Sequence, residues 1–364
     1  MKYYFTSESV TAGHPDKICD QISDAILDEA LRQDKFSKMA VECTIKDNFI
    51  LIYGEANTKA IIPYEVIAKE VIRSIGYTEE FEVCVKVAKQ SNEISEAVDS
   101  HELGAGDQGI IFGYACNETD AFIPLSIDLA HKLAKQLEVA LKTDVNTPLR
   151  PDGKTQVTVE YENKQIHRID TIVISSQHIA GVAQEELKTY IRNNVIDVVV
   201  DKNLVDENTK YIINPSGSFV LGGPFGDSGT TGRKIVVDTY GGHGRIGGGC
   251  FSSKDATKVD RSAAYYCRYV AKNIVAHGLA DKCEIQVSYA IGLSKPLSIF
   301  IETFQSNHVD IQNIYDFVNK HFDFSVANIL HELDLRRPIY RQTATYGHFG
   351  RTDLDLPWEK IKEL

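Results

Sequence analysis

One pattern recurs three times along the chain: a helix, two strands that read as a hairpin, and a second helix. The first copy has a helix over Pro15 to Gln33, where Ile18, Ile22, Ile26 and Ala30 recur every four residues. Strands 39–46 and 48–55 follow, turning at Asp47-Asn48, and then a helix over Pro63 to Ile75 that stops at Gly76. The second copy has a helix over Ile127 to Leu141, strands 155–162 and 165–175 turning at Asn163-Lys164, and a helix over Ala183 to Val198. The third has a helix over Asp260 to His277 ended by Gly278, strands 284–291 and 298–304, and a helix over Asp310 to His321. Letter-for-letter similarity among the copies is slight, so the repeat is one of element order. It predicts an α+β fold of three related α/β units, each a small antiparallel sheet covered by helices. The units are expected at 1–90, 103–219 and 220–364, interwoven in space, with the polar 91–102 segment as a linker or a mobile active-site lid.

Between the second and third copies lies the densest chemistry. Twelve of the chain's 25 glycines fall between Gly217 and Gly249, and Arg233, Lys234, Arg245, Lys254, Lys258 and Arg261 are interleaved with them or follow just after. Glycine lets main-chain N–H groups converge on an anion, while Lys and Arg supply formal charge. In a chain of net charge -12, so tight a gathering reads as a phosphate site rather than a solvated loop. The same acidic balance argues against bulk nucleic-acid or anionic-membrane binding. At 364 residues and 43% hydrophobic the chain can bury a large core, yet no window approaches the ~20 apolar residues of a membrane span. The start MKYYFTSESV has no leader pattern, and a cytoplasmic protein is expected. Seven widely spaced cysteines without a CxxC pair read as reduced, mostly buried thiols.

Familiar nucleotide motifs fail on context. Gly104-Ala-Gly106-Asp-Gln-Gly109 and Gly242-His-Gly244-Arg-Ile-Gly247 both match G-x-G-x-x-G, but neither third glycine opens a helix. Gly232-Arg233-Lys234-Ile235 lacks the G-K-[ST] of a Walker A loop. His14-Pro15-Asp16-Lys17 places an imidazole, a carboxylate and an ammonium at one helix start, where a phosphate is attracted and a carboxylate can hold Mg²⁺. The bland reading is that Asp16 favours the helix end and Lys17 is solvated. Asp260 repeats the arrangement beside Lys254 and Lys258, and two such carboxylates suit two Mg²⁺ ions on one polyphosphate. Leu149 to Lys154 alone reads as a plain turn before a strand.

These residues lead to a family. The chain resembles the S-adenosylmethionine synthetase (methionine adenosyltransferase) family over nearly its whole length. The match rests on Phe5-Thr-Ser-Glu-Ser-Val-Thr-Ala-Gly-His-Pro-Asp-Lys17, Gly104 to Gly109, Gly247-Gly-Gly-Cys-Phe-Ser-Ser-Lys-Asp255, Tyr346-Gly-His-Phe-Gly-Arg351 and Pro357-Trp358-Glu359. It implies three α/β units about a pseudo-threefold axis, and homodimers with shared active sites that pair into homotetramers. The implied reaction is attack of methionine sulfur on C5′ of ATP, followed by hydrolysis of the displaced tripolyphosphate to pyrophosphate and phosphate.

Carried over residue by residue, the resemblance implies His14 near the departing oxygen, Asp16 and Asp260 as ligands of two Mg²⁺ per site, and Glu42 as a K⁺ ligand. Lys154, Arg233, Lys234 and Lys254 match triphosphate ligands, and the first and last of these, with His14 and Arg233, are the expected catalytic set. Phe219 matches the ring stacked on adenine, and Asp107, Asp152, Ser175, Ser218 and Cys250 fall at nucleotide positions. Glu55, Gln90, Asp227, Lys258 and Ile291 match the methionine pocket. Ser218 stands where Arg is common, Ile246 where His is, Cys250 for Ala, Ser253 for Gly, and Ala12 for an acid or another small residue. Two rival classes are a phosphotransferase releasing ADP and a catalytically silent nucleotide-binding fold. The absence of any kinase motif weighs against the first, and the intact His14, Asp16, Lys154 and Lys254 against the second.

Overall fold

Each hairpin predicted from turn chemistry forms. Asp47 (φ 51°), Asn163 (53°) and Lys164 (68°) adopt the positive φ that a tight turn between right-twisted strands needs. The computed structural model describes residues 1–89 and 103–363; Gln90 and the expected lid at 91–102 lie outside the described residues.

In chain order the first unit contains β1 (Lys2–Val10), α1 (Pro15–Gln33), the hairpin β2 (Lys38–Lys46) and β3 (Phe49–Asn57), α2 (Tyr64–Ile75) and β4 (Glu82–Lys89). The second contains β5 (Gly109–Cys116), α3 (Leu125–Thr143), the hairpin β6 (Leu149–Glu162) and β7 (Gln165–His178), α4 (Gln184–Ile191) and β8 (Lys210–Ile213). The third contains β9 (Gly229–Thr230), a one-turn α5 (Ile235–Asp238), α6 (Val259–Ala276), the hairpin β10 (Lys282–Tyr289) and β11 (Ser298–Glu302), α7 (Ile311–His321) and α8 (Val326–Glu332). Three sheets result, ordered β1-β6-β7-β8, β11-β10-β5 and β4-β3-β2-β9.

The leading strand of each unit leaves it. β1 pairs with β6, β5 with β10, and β9 with β2, all antiparallel. The exchange is cyclic, first to second, second to third, third to first, as a pseudo-threefold arrangement requires. Two of the three sheets are mixed rather than purely antiparallel, because α2 and α4 are crossovers that return β4 and β8 parallel to the preceding strand, while β11-β10-β5 is antiparallel throughout. Two local expectations are corrected. The Leu149 to Lys154 stretch is strand, not turn: β6 runs through Pro151, and its ladder to β7 shifts register between Leu149 and Gly153, where proline's missing N–H is tolerated. The helix expected over 183–198 spans that range but is not α-helical throughout: a wider π turn over Arg192–Ile196 interrupts it before it resumes over Asp197–Val199.

Helices α1 and α6 lie inside the molecule, with α1 buried from Pro15 to Asp28. Five of the seven cysteines are buried, Cys84 is exposed, Cys250 is intermediate, and all are free thiols. Among the described residues no helix is long and apolar enough to cross a membrane.

Candidate active site

A buried helix that carries polar groups must give each of them a partner. Along α1 an aspartate recurs every fourth residue, so Asp16, Asp20, Asp24 and Asp28 share one face, and none is more than 8% exposed. Each carboxylate takes a different C-terminal segment. Asp16 accepts from the Thr230 N–H (3.0 Å) and Asp20 from the Gly232 N–H (2.8 Å). Asp24 receives both terminal nitrogens of Arg261 (2.7 and 2.8 Å) and the Ser252 hydroxyl (2.9 Å). Asp28 accepts from the Tyr340 and Arg341 N–H groups (2.9 Å each), and burial lifts its carboxyl to about 6.

The N-terminal end of this rail gathers the first cluster. Lys234 Nζ lies 2.5 Å and Arg233 Nη1 3.3 Å from the Asp16 oxygens. Burial would raise the Asp16 carboxyl, but Lys234 and the Thr230 N–H outweigh it and hold it below the usual range. His14 caps the helix, its Nδ1 accepting the Asp16 N–H at 3.2 Å. Burial, reinforced by Lys234 and Lys154, pushes His14 down to about 3, so the imidazole is neutral and its 4.0 Å approach to Asp16 is no ion pair. With Nδ1 accepting, the ring proton sits on Nε2.

Lys154 stands on β6 between Val10 and Ser175 of the flanking strands. Asp152, two residues earlier, accepts from the Gly223 N–H (2.8 Å); burial lifts it to about 6 against the pull of that bond and of Lys154, with Asp227 adding to the rise. The chain bearing Ser218 and Phe219 hangs from the end of β7, where His178 Nε2 accepts the Phe219 N–H (2.9 Å) and the Phe219 carbonyl accepts the His178 N–H (3.0 Å).

A second cluster forms around Asp260, at the start of α6, which pairs with Lys254 at 2.6 Å. Asp260 lies against Gly249: an added Cβ there would stand 2.2 Å from its carboxyl carbon and would force the carboxylate to move. The Lys254 backbone bridges Ala40 on β2, whose partner on β3 is Glu55, and Glu42 follows two residues along β2 with Tyr53 donating to it at 2.9 Å. Lys258 pairs with Asp255 at 2.5 Å. Asp107 is exposed, and its segment is held by Gly106 donating to the Thr257 carbonyl (3.2 Å) and by paired bonds between Ala105 and the Ile291 to Leu293 loop (2.9 Å each). Cys250 lies between the clusters, against Gly232 and within electrostatic reach of Lys254, Asp20 and Glu42.

The structure therefore groups His14, Asp16, Asp152, Lys154, Asp227, Arg233 and Lys234 in one place, and Glu42, Glu55, Lys254 and Asp260 in another. Both meet β2, Thr230 beside Thr44 and Lys254 beside Ala40, four residues or roughly 13 Å apart along the strand. Sequence reasoning missed Asp20, Asp238 and the true state of Lys17, which is fully buried and bonded to Asp20 (2.9 Å) and to Asp238. The available signal was an aspartate at every fourth position of the helix, running beside the Ile18, Ile22 and Ile26 stripe.

Comparison with known proteins agrees in every unit. Family models described as the N-terminal, central and C-terminal domains of S-adenosylmethionine synthetase match residues 2–100, 102–219 and 221–360. Proteins named S-adenosylmethionine synthase are similar to the whole chain: one from Oenococcus oeni at 55% identity, one from Clostridium botulinum at 52% and one from Clostridium tetani at 51%, each aligned over 100% of this chain and 98% of the relative. With matched domains spanning both charge clusters, the chain belongs to the S-adenosylmethionine synthetase family.

Proposed function

We infer that the chain is a methionine adenosyltransferase, in which methionine sulfur attacks C5′ of ATP, expels tripolyphosphate, and the same site hydrolyses that product to pyrophosphate and phosphate. The observation that carries this reading is the Asp16 cluster, where two cations, a neutral histidine and an ionised carboxylate converge. The leaving group bears about four negative charges, so preorganised cations at the triphosphate supply most of the acceleration. Arg233 and Lys234 now neutralise Asp16; with a polyphosphate present they turn to it. Lys154 and Lys254 meet the same chain of phosphates from other sides. His14 Nε2–H donates to the departing O5′, a role its fixed tautomer suits.

Asp16 and Asp260 supply the hard carboxylate oxygens Mg²⁺ prefers, and among the described residues no group of three or more His, Cys, Asp or Glu could hold a metal ion. One carboxylate per ion, completed by phosphate oxygens and water, is the binding mode that fits. Two Mg²⁺ held at Asp16 and Asp260 would neutralise triphosphate charge, and K⁺ at Glu42 would add a cation near Lys254. Adenine stacks on Phe219, with Ser175, Ser218, Asp107, Asp152 and Cys250 around the nucleotide; Glu55, Gln90, Asp227, Lys258 and Ile291 form the methionine pocket.

The separation of the clusters supports a homodimer in which each site takes the first cluster from one chain and the second from its partner, with dimers pairing into tetramers. Exposed Ile110 and Ile246 line one cavity with Asp260, an apolar surface beside the second cluster suited to such contact. Lys154→Ala and Lys254→Ala proteins, each inactive, are denatured, mixed and refolded together. Shared sites predict recovery of about a quarter of wild-type activity, since half the dimers are mixed and each holds one intact site. No recovery would place both lysines in a site built by one chain. Incubation with ATP, methionine, Mg²⁺ and K⁺ tests the activity itself: S-adenosylmethionine is expected only when methionine is present.

A further inference from the structure

A strap of C-terminal chain, Gly229 to Lys234, crosses the first turns of α1, and one face of that helix fixes its course. Asp16, Asp20 and Ser23, at i, i+4 and i+7, meet successive strap positions: the Thr230 N–H at 3.0 Å, the Gly232 N–H at 2.8 Å, and the Thr231 hydroxyl at 2.8 Å from Ser23 Oγ. Gly229 lies so close to Pro15 that an added Cβ would stand 2.2 Å from its carbonyl carbon. Behind the strap, fully buried Lys17 donates to Asp20 at 2.9 Å and to Asp238. Asp238 closes the α5 turn and donates its N–H to the Lys234 carbonyl at 2.8 Å. Lys17 thus ties the turn that follows the strap to α1 and holds the carboxylate that takes the Gly232 N–H.

The outer and inner bonds differ in kind. Arg233 and Lys234 reach Asp16 from side chains that are 54% and 17% exposed, so solvent or an anion can replace those contacts. Asp20 and Asp238 are at most 1% exposed, and nothing from solvent competes with their hold on the backbone.

We propose that Asp20, held by Lys17 and Asp238, is a positioning residue for adenosyl transfer, fixing the strap so that Arg233 and Lys234 leave Asp16 for the polyphosphate while their backbone stays in place. The proposal rests on the functional reading above and deepens it. A carboxylate that only filled space in the core would matter for stability alone; this one acts through two cations it never touches.

Asp20→Asn keeps the side chain's size and an oxygen for Gly232, and removes the charge facing Lys17. Steady-state kinetics are measured for wild type, Asp20→Asn, Arg233→Ala and the double variant. Asp20→Asn is expected to lower kcat about a hundredfold, as small misplacements of charged groups do, with the methionine KM within about twofold of wild type. Added to Arg233→Ala it should cost less than it does in wild type, since one of the two cations through which it acts is already gone. Losses that simply multiply in the double variant, or a folded Asp20→Asn with wild-type kcat, overturn the positioning role. Should the variant not fold, amide hydrogen exchange in the wild-type enzyme decides: the Thr230 and Gly232 amides are expected to be as protected as those in the middle of α1, and exchange at the rate of an open loop overturns the proposal. Wild-type protein that made no S-adenosylmethionine would instead strike the functional reading, and the exchange result would stand by itself.

Discussion

The Asp16 carboxylate accepts a hydrogen bond from the Thr230 N–H at 3.0 Å across 214 positions of sequence. This bond joins the two stretches that looked chemically richest in the sequence, the His14 to Lys17 helix start and the glycine and cation run. It also explains why Arg233 and Lys234 can neutralise Asp16 when no anion is present.

Removing charge from this cluster should affect catalysis far more than folding. Asp16→Asn and Lys154→Ala are each expected to lower kcat by about a hundredfold or more, on the scale of deleting one preorganised transition-state contact. Melting temperature, measured by differential scanning fluorimetry, should move little. Equal loss of stability and activity in both would mark them as structural residues.

The opposite is expected one rail position further along. Asp24 and Arg261 form a two-bond pair with neither side chain exposed. Asp24→Ala leaves the guanidinium buried without its counter-charge, at a cost of about 3–5 kcal/mol. Urea unfolding should show that loss directly, and a change below about 1 kcal/mol would mean the site readmits water.

Ser253 occupies a position where the family commonly has glycine, and its φ is 80°, in the left-handed region. A residue with a Cβ pays about 1–2 kcal/mol there, so Ser253→Gly should raise stability by about 1 kcal/mol while leaving kcat close to wild type. A lower melting temperature in the variant would show that the serine hydroxyl contributes more than the strain costs.

Acid should weaken the fold through a buried histidine on α3. His131 is held down to about 3 by burial, with nearby Arg351 adding to the effect, and its Nδ1 lies 2.8 Å from Ser9 Oγ. A histidine depressed below its unfolded value of 6.5 contributes stability above pH 6.5 that is lost as pH falls toward 3, at about 1.4 kcal/mol per pH unit. Between pH 6.5 and 5 the unfolding free energy of His131→Gln should therefore fall about 2 kcal/mol less than that of wild type. Parallel curves would show that His131 titrates normally.

Much of this architecture was legible beforehand, for identifiable reasons. Helix periodicity and turn residues act locally, so the Asp47 and Asn163-Lys164 turns and the helices at Pro15 and Asp260 lie where the sequence indicates. The exchanged strands were not legible, because nothing near Val10 records that its partner is Lys154. That Lys17 is buried, against the bland reading of a solvated lysine, was not legible because its partner Asp238 is 221 positions away. Pro151 and Gly153 spelled a turn, and the strand instead carries them at a register shift. The family's long motifs led to the charged residues; the inner clamp of Lys17, Asp20 and Asp238 emerged only from packing.

The central claim is that the whole triphosphate leaves from C5′. Rapid-quench single turnover with ATP labelled at the α-phosphate tests it most directly, because each chemistry sends the label to a different product. Attack at C5′ predicts transient labelled tripolyphosphate, appearing with S-adenosylmethionine that carries no label, followed by labelled pyrophosphate or phosphate. Label retained in ADP or AMP would mean that the bond broken lies between phosphates, and would contradict adenosyl transfer.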